Sequence, residues 1–588
     1  MLRRLLLFPV LVVPILLLIA ACRPVGAADE PKPKKPKVRL AVVVIFDQMR
    51  GDYVEKWQPL FKDSGFKRMQ TDGAWFTDCH YPYGTTTTGP GHASILAGCS
   101  GNKHGIINNS WFDRKEGSDV NCATSSRYDM TPIRSVVEDD AKPTAKKPAA
   151  KTAGNPDRFI GPTLADVLKE TTAGAGKVFG VSLKDRSAIF PVGKKADGAY
   201  WFQGEFVTSS YYRDKLPNWV ADFNKSGIAE SYFKKEWTKL REDIDYAKFS
   251  GPDDGLGEGK GKAQGTTFPH SMTGGKDKVG KEYYEAVANS PYGNDMLLAF
   301  AKACIIEEKL GQDDVPDLLS ISFSSNDLIG HTWGPDSQEV LDVTLRSDLI
   351  VQNLLTFLDE KVGKDQYSLV ITADHGVCPN PEVMAAKGTE AKRISPIALL
   401  TGAERHLRET FGKPDDAKVE GAKEDGTKKK SNLWLEANSA PNIYLNQRHI
   451  KANDLNPDDV ATKLAEWLRT QPGIERAYTR KQLMAVSPTD DPFATPTRKS
   501  FHPDRSGDVV VVTKPYYLLD TYATGTTHGT PHPYDTHTVF LAYGPGIAGG
   551  KRDEKITPLH ASPIVADFLG INPPRNCEYG LPITLAKP

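Results

Sequence analysis

Net charge is missing from this chain: 74 Lys and Arg balance 74 Asp and Glu over 588 residues. Nothing therefore steers it toward nucleic acid or an anionic surface, and no nucleic acid is expected as a specific partner. Affinity for anions must come from a local site. Cysteine is scarce as well. Beyond Cys22, the residues Cys79, Cys99, Cys122, Cys304, Cys378 and Cys577 show no CxxC spacing. That argues against a disulfide scaffold and against a thiolate zinc site. After Ala21 no stretch is apolar enough to span a membrane.

At its start the chain has a basic pair, Arg3 and Arg4, an apolar run from Leu5 to Ala21, and small residues afterwards. Residues 1–27 read as a secretory leader. Two exits fit: Ile19-Ala20-Ala21-Cys22 as a lipobox that leaves a lipid anchor on Cys22, or cleavage between Ala27 and Ala28. The mature protein is thus expected to be exported, in the periplasm or as an outer-membrane or cell-surface lipoprotein of a bacterium. The remainder divides into a first core part over 38–187, an aromatic and polar cap or lid over 188–290, and a second core part over 291–588. A Lys/Ala/Pro-rich insertion at 138–157 and a charged one at 413–432 lack a periodic apolar face, and 487–500 reads as a Pro/Thr-rich loop. No obligate protein partner is evident.

The runs Leu40–Phe46, Lys177–Ser182, Asp317–Phe323 and Tyr367–Thr372 are strands, the first apolar on both faces. Such strands belong to sheets covered on both sides. The expected class is α/β, a three-layer αβα sandwich around a largely parallel sheet. Ligands gather beyond the carboxyl ends of its strands. There the chain places Asp47, Lys184-Asp185-Arg186, Asp327 with His331, and Asp374-His375. Taken singly these are weak: Asp47 reads equally well as a helix N-cap, and an isolated KDR is more often a solvated turn. Asp327 and His331, four apart on one helical turn, can chelate one ion. Together the carboxylates and imidazoles, with no thiolate among them, match two divalent ions and zinc in particular. A two-metal site suits displacement at phosphorus.

The stretch Tyr83–Trp111 organises the rest. Thr85, Thr86, Thr87 and Thr88 lead into Gly89-Pro90-Gly91, and His92–Gly98 reads as a short helix. Thr88 then falls just before a helix start, where free N–H groups favour an oxyanion or phosphoryl group. Alone, it reads better as an N-cap.

Asp47, Thr88-Gly89-Pro90-Gly91-His92, His104-Gly105-Ile106-Ile107-Asn108-Asn109, Lys184-Asp185-Arg186, Asp327 with His331, Asp374-His375 and His528 occur in one order along the chain. This pattern resembles the alkaline phosphatase superfamily, in its threonine-nucleophile, phosphate-irrepressible branch, related to the type I phosphodiesterases and nucleotide pyrophosphatases. The resemblance implies two Zn2+, one held by Asp327, His331 and His528, the other by Asp47, Asp374, His375 and the Thr88 oxygen. His532 and His537 stay open as substitutes for His528. It also implies Thr88 as the nucleophile of a phosphothreonine intermediate. Asn109, Lys184 and Arg186 then bind the phosphoryl group. Two cations on that group favour small-molecule phosphate monoesters, with weak phosphodiesterase activity beside them. Two alternatives are a nucleotide pyrophosphatase/phosphodiesterase and a surface lipoprotein that binds phosphate or metal without turnover.

Overall fold

The computed structural model describes residues 35–132, 153–414, 433–485 and 490–586. The leader with Cys22, most of the 138–157 insertion and most of the 413–432 insertion lie outside the described residues.

A ten-stranded sheet forms the centre. In spatial order it runs Gly550–Arg552, Ala74–Phe76, Phe540–Tyr543, Tyr367–Thr372, Leu40–Phe46, Asp317–Phe323, Val178–Ser182, Gly198–Phe202, Phe206–Ser209 and Met130–Thr131. The strands from Tyr367–Thr372 through Gly198–Phe202 are mutually parallel. Phe540–Tyr543 pairs antiparallel with Tyr367–Thr372.

The apolar run Leu40–Phe46 shows why the sheet is covered twice. Side chains alternate across a strand. Leu40, Val42, Val44 and Phe46 enter one hydrophobic cluster, with Leu297, Ile350 and Leu354 of the helices Pro291–Glu307 and Gln338–Leu358. Ala41, Val43 and Ile45 enter another, with Ile95, Leu96, Ile564 and Val565 of the helices Thr88–Ala97 and Ala561–Leu569. The result is the αβα sandwich.

The segment 188–290 shares the main core: Gly198–Phe202 and Phe206–Ser209 extend the main sheet, and Tyr200, Phe206 and Trp237 share one cluster with Val42 and Phe46. Large aromatics without long apolar runs resemble a small private core in sequence, but they can equally cap a neighbouring sheet face. The second core part, in turn, is not one unit. Leu435–Ser439, Asn442–Leu445, Val509–Thr513 and Ile474–Thr479 form an antiparallel sheet of their own. Helices Pro396–Phe411 and Pro457–Leu468 supply Leu407 and Leu464 to its core. The expected loop at 487–500 ends in a helix, Ala494–Ser500.

Leu319 is 0% exposed in the central sheet, whereas Ile397 on the second unit is 70% exposed. Leu319→Ala should cost about 2–5 kcal/mol through the cavity it leaves, and Ile397→Ala less than about 0.5 kcal/mol. Urea unfolding followed by tryptophan fluorescence measures both.

Candidate active site

Three neighbouring parallel strands end at one level: Phe46 is paired with Phe323, and Ile45 with Thr372. The residues just beyond are therefore brought together by register. Asp47, Asp327 and Asp374 are all buried there. Asp327 and His331 sit on the helix Ser325–Trp333 that leaves the strand Asp317–Phe323.

The Thr88 helix begins earlier than expected. It spans Thr88–Ala97, and Thr87, with extended backbone at φ −117°, takes the N-cap position. Thr88 is thus the first helical residue, and the capping explanation for it falls away. Pro90 is tolerated in the first turn, where its missing N–H has no intrahelical partner to lose. Gly91 is required by proximity: a Cβ there would lie 2.6 Å from Asp374 Cβ. The helix so presses Thr88 onto the strand ends, with Thr88 Oγ1 3.4 Å from His375 Nε2.

Each of three imidazoles is oriented by a backbone carbonyl. His331 Nδ1 lies 2.7 Å from Thr526 O, His375 Nδ1 2.9 Å from Gly376 O, and His528 Nδ1 2.7 Å from Thr86 O. A proton on each Nδ1 leaves the Nε2 lone pair pointing the other way. These lone pairs meet carboxylate oxygens: His331 Nε2 and His528 Nε2 lie 3.2 and 3.5 Å from Asp327 Oδ1, and His375 Nε2 lies 3.4 Å from Asp47 Oδ1 and 3.2 Å from Asp374 Oδ2. Asp47 Oδ1 and Asp374 Oδ2 are buried without a hydrogen bond among the described residues. Such contacts call for positive charge between the groups, a metal ion or a proton on Nε2: against burial, Asp374 and then Asp47 push His375 up to about 9. The donor set of carboxylate and imidazole fits a divalent ion of the zinc type. His532 and His537 lie elsewhere, His532 against Thr513 O and His537 stacked on His80.

Burial, and then the charges of Asp327 and Asp374, push the Asp47 carboxyl up to about 7. Burial, and then the neighbouring His375, hold His528 down to about 3, so it stays a neutral ligand-type imidazole. Lys184 Nζ lies 2.7 Å from Asp47 Oδ2 and 2.6 Å from Asp327 Oδ2. It bridges the two carboxylate groups, a contact not expected from the sequence, because unbalanced buried carboxylates attract the nearest ammonium. Asn109 Oδ1 accepts from Gly89 N–H at 2.7 Å, which leaves Nδ2 as the donating end of the amide. Arg186 acts electrostatically on Cys122, whose sulfur would touch a Cβ on Gly89, and its Nε has no hydrogen-bond partner among the described residues.

Two positioning residues were missed. Gln48 has φ 70°, in the left-handed region that non-glycine residues avoid. Its side chain donates to Asp327 Oδ1 at 2.7 Å and its backbone N–H to Asp374 Oδ1 at 3.1 Å. No pattern in the sequence marks it beyond adjacency to Asp47. His92 is near Asp374 Oδ2 at 3.1 Å, yet its two ring nitrogens already meet Thr88 O and Ser322 Oγ at 3.0 and 2.8 Å. It braces the helix against the sheet and is not free to ligate.

The family model for type I phosphodiesterase/nucleotide pyrophosphatase matches residues 41–536. The chain belongs to that family. Among relatives, alkaline phosphatase PafA of Elizabethkingia meningoseptica is 30% identical over 553 residues, covering 93% of this chain and 94% of that protein. Alkaline phosphatase PhoV of Synechococcus elongatus is 30% identical over 544 residues, covering 91% and 90%. The crystal structure of PafA superposes with a TM-score of 0.81 at 28% identity, covering 93% of this chain and 99% of that one. The family member described here therefore has the alkaline phosphatase superfamily fold.

Gln48→Leu should lower divalent-ion affinity by about 10–100-fold, as loss of a group that orients ligands does. Equilibrium dialysis against zinc buffers checks this, with far-UV circular dichroism unchanged from the parent protein.

Proposed function

We propose that this enzyme is a two-zinc phosphate monoester hydrolase that works through Thr88. The observation that carries the reading is the convergence of Thr88 Oγ1 and His375 Nε2 with the carboxylates Asp47 and Asp374 at the strand ends. Asp327, His331 and His528 would hold one ion, and Asp47, Asp374, His375 and Thr88 the other. Such ions would offset the buried carboxylates, favour the Thr88 alkoxide and stabilise the departing oxygen.

The chain's own groups do the rest. Thr88 Oγ1, fixed at the first turn of its helix, attacks phosphorus. A bond forms from phosphorus to Oγ1 as the bond to the ester oxygen breaks, giving phosphothreonine and the free alcohol. Water then attacks phosphorus, and Thr88 and inorganic phosphate are regenerated. Asn109, with its carbonyl held by Gly89 N–H, directs its Nδ2 donor at a phosphoryl oxygen. Lys184 and Arg186 bring two positive charges to the same group. A monoester offers an extra unsubstituted, charged oxygen where a diester carries a second substituent, and charge-assisted bonds to it are worth more than neutral ones. The relatives named alkaline phosphatase support the same substrate class.

The family description keeps a phosphodiesterase reading in play, and relative rates decide between them. Among the described residues no helix is long and apolar enough to cross a membrane, and the leader at 1–27 supports export to the periplasm or cell surface.

Hydrolysis of p-nitrophenyl phosphate should exceed that of bis-p-nitrophenyl phosphate and should be lost on zinc chelation. Thr88→Ala should abolish turnover while zinc still binds. The pair Lys184→Ala with Arg186→Ala should depress the monoester rate far more than the diester rate. Equal losses on both substrates would instead assign the two cations a role without selectivity, and a diester preference in the parent enzyme would move it to the phosphodiesterase reading.

A further inference from the structure

Just past His528 the chain bends, and one carboxylate outside the ligand set holds the bend. Asp535 is 0% exposed. Its Oδ2 accepts from Gly529 N–H at 3.1 Å, Thr530 N–H at 2.9 Å and the Thr530 hydroxyl at 2.6 Å. Gly529 has φ 119°, a conformation that side chains disfavour. The bend turns two successive N–H groups onto one oxygen, a concavity of the kind that takes an anion. Burial pushes the Asp535 carboxyl up to about 7 against these donors, so at alkaline pH it accepts as a carboxylate.

The two residues so held adjoin His528 and the approach to Thr88. His528 directly precedes Gly529, with Nδ1 2.7 Å from Thr86 O and Nε2 3.5 Å from Asp327 Oδ1. The Thr86 hydroxyl donates to Thr530 O at 2.9 Å. Thr86 is thus clasped through its carbonyl by His528 and through its hydroxyl by Thr530, and Asp535 holds the segment that makes both clasps. The main chain of Asp535 serves the other half of the centre: its carbonyl accepts from Gly376 N–H at 2.7 Å, one residue beyond His375. Closure of a turn is the simpler role for this acid, and it would leave the ligand geometry indifferent to the side chain at 535.

We propose that Asp535 is a positioning residue for the catalytic centre, acting through Gly529 and Thr530 to hold His528 against Asp327 and Thr86. The inference rests on the reading of Asp327, His331 and His528 as the ligands of one ion. Without the carboxylate, Gly529 and Thr530 are released from the bend and His528 moves off Asp327 with them. His375 keeps its place, because its Nδ1 is held by Gly376 O and the main-chain carbonyl of residue 535 is untouched by a change of side chain. The loss therefore falls on one ion of the two. An amide of the same shape should serve nearly as well as the acid, since it keeps one oxygen for the three donors. Asp535 lines a cavity of about 90 Å3, which leaves room for the amide nitrogen.

The test is equilibrium dialysis of the full-length protein against zinc buffers at alkaline pH, with thermal unfolding of the zinc-free protein measured beside it. Asp535→Ala should weaken one of two bound ions by about 10–100-fold and leave the other at the parent's affinity. Asp535→Asn should bring the weakened ion back to within about threefold of the parent. Excess zinc should restore kcat in the Ala variant. A role confined to turn closure would instead lower Tm of the zinc-free protein and leave both zinc affinities unchanged, which overturns the proposal. Equal weakening of both ions overturns the route through His528. Where Asp535→Ala fails to fold, Thr530→Val removes one donor and keeps the two N–H bonds, and it should weaken the same ion by about 3–10-fold. Parent affinity in that variant also overturns the proposal. Fewer than two ions bound by the parent protein would remove the two-zinc reading and this inference with it, whereas two ions in the parent and unchanged affinities in the variants remove this inference alone.

Discussion

The constraint on which this structure turns is the confinement of three carboxylates at the ends of three adjacent parallel strands. Asp47, Asp327 and Asp374 are between 0% and 3% exposed. Burying one ionised carboxylate without compensation is costly, and three at close range repel one another. The sheet register makes them converge, so the chain cannot relax by moving one away without slipping a strand whose every residue is buried. What surrounds them is best understood as compensation. Lys184 bridges two of the acids, Gln48 donates to two, and the imidazoles turn their Nε2 atoms inward. A centre with this much unbalanced charge is suited to cations, and through them to a phosphoryl group.

Rigid and adaptable parts divide the work. The acids come from strand ends or from the first turns after them, held by the central sheet. The groups proposed to face the phosphoryl come from loops and short helices docked onto that sheet. The loop ahead of Thr88 depends on distant contacts: Ser500 Oγ accepts from the N–H groups of Gly84 and Thr85 at 3.0 and 2.8 Å, and Asn108 Nδ2 donates to Ala440 O at 2.7 Å. The second unit therefore buttresses the threonine run that leads into the helix Thr88–Ala97.

How much of this was readable from the residues depends on which physical rule governed each one. Strands buried on both faces were plain from continuous apolar runs, and the acids just beyond them followed from chain order. That Asp327 and His331 share a helical turn was readable from their spacing, and both lie on the helix Ser325–Trp333. Gln48 was not readable, because its importance lies in a left-handed backbone and two hydrogen bonds to residues roughly 280 and 326 positions away. The start of the Thr88 helix was misjudged because Gly and Pro argue locally against helix, while close packing on Asp374 demands the glycine and the first turn excuses the proline. The second sheet escaped notice because its strands are short and Val509–Thr513 pairs with strands that lie beyond intervening helices.

The choice among His528, His532 and His537 shows why residue type alone falls short. All three follow a Thr/Gly/Pro-rich turn, and spacing places none of them. The decision is made by Thr526, whose N–H donates to His331 O at 2.9 Å and whose carbonyl lies 2.7 Å from His331 Nδ1, while its hydroxyl donates to Cys378 O at 2.6 Å. One residue thus ties the His528 loop to the helix bearing Asp327 and to the segment following His375. His528 then reaches Asp327 because its loop is pinned two residues earlier, and its own Nδ1 finds Thr86 O in the threonine run. Displacing that loop would release the orienting carbonyl of His331 and carry His528 away in the same motion. The positions of the two imidazoles around Asp327 are therefore coupled through one loop.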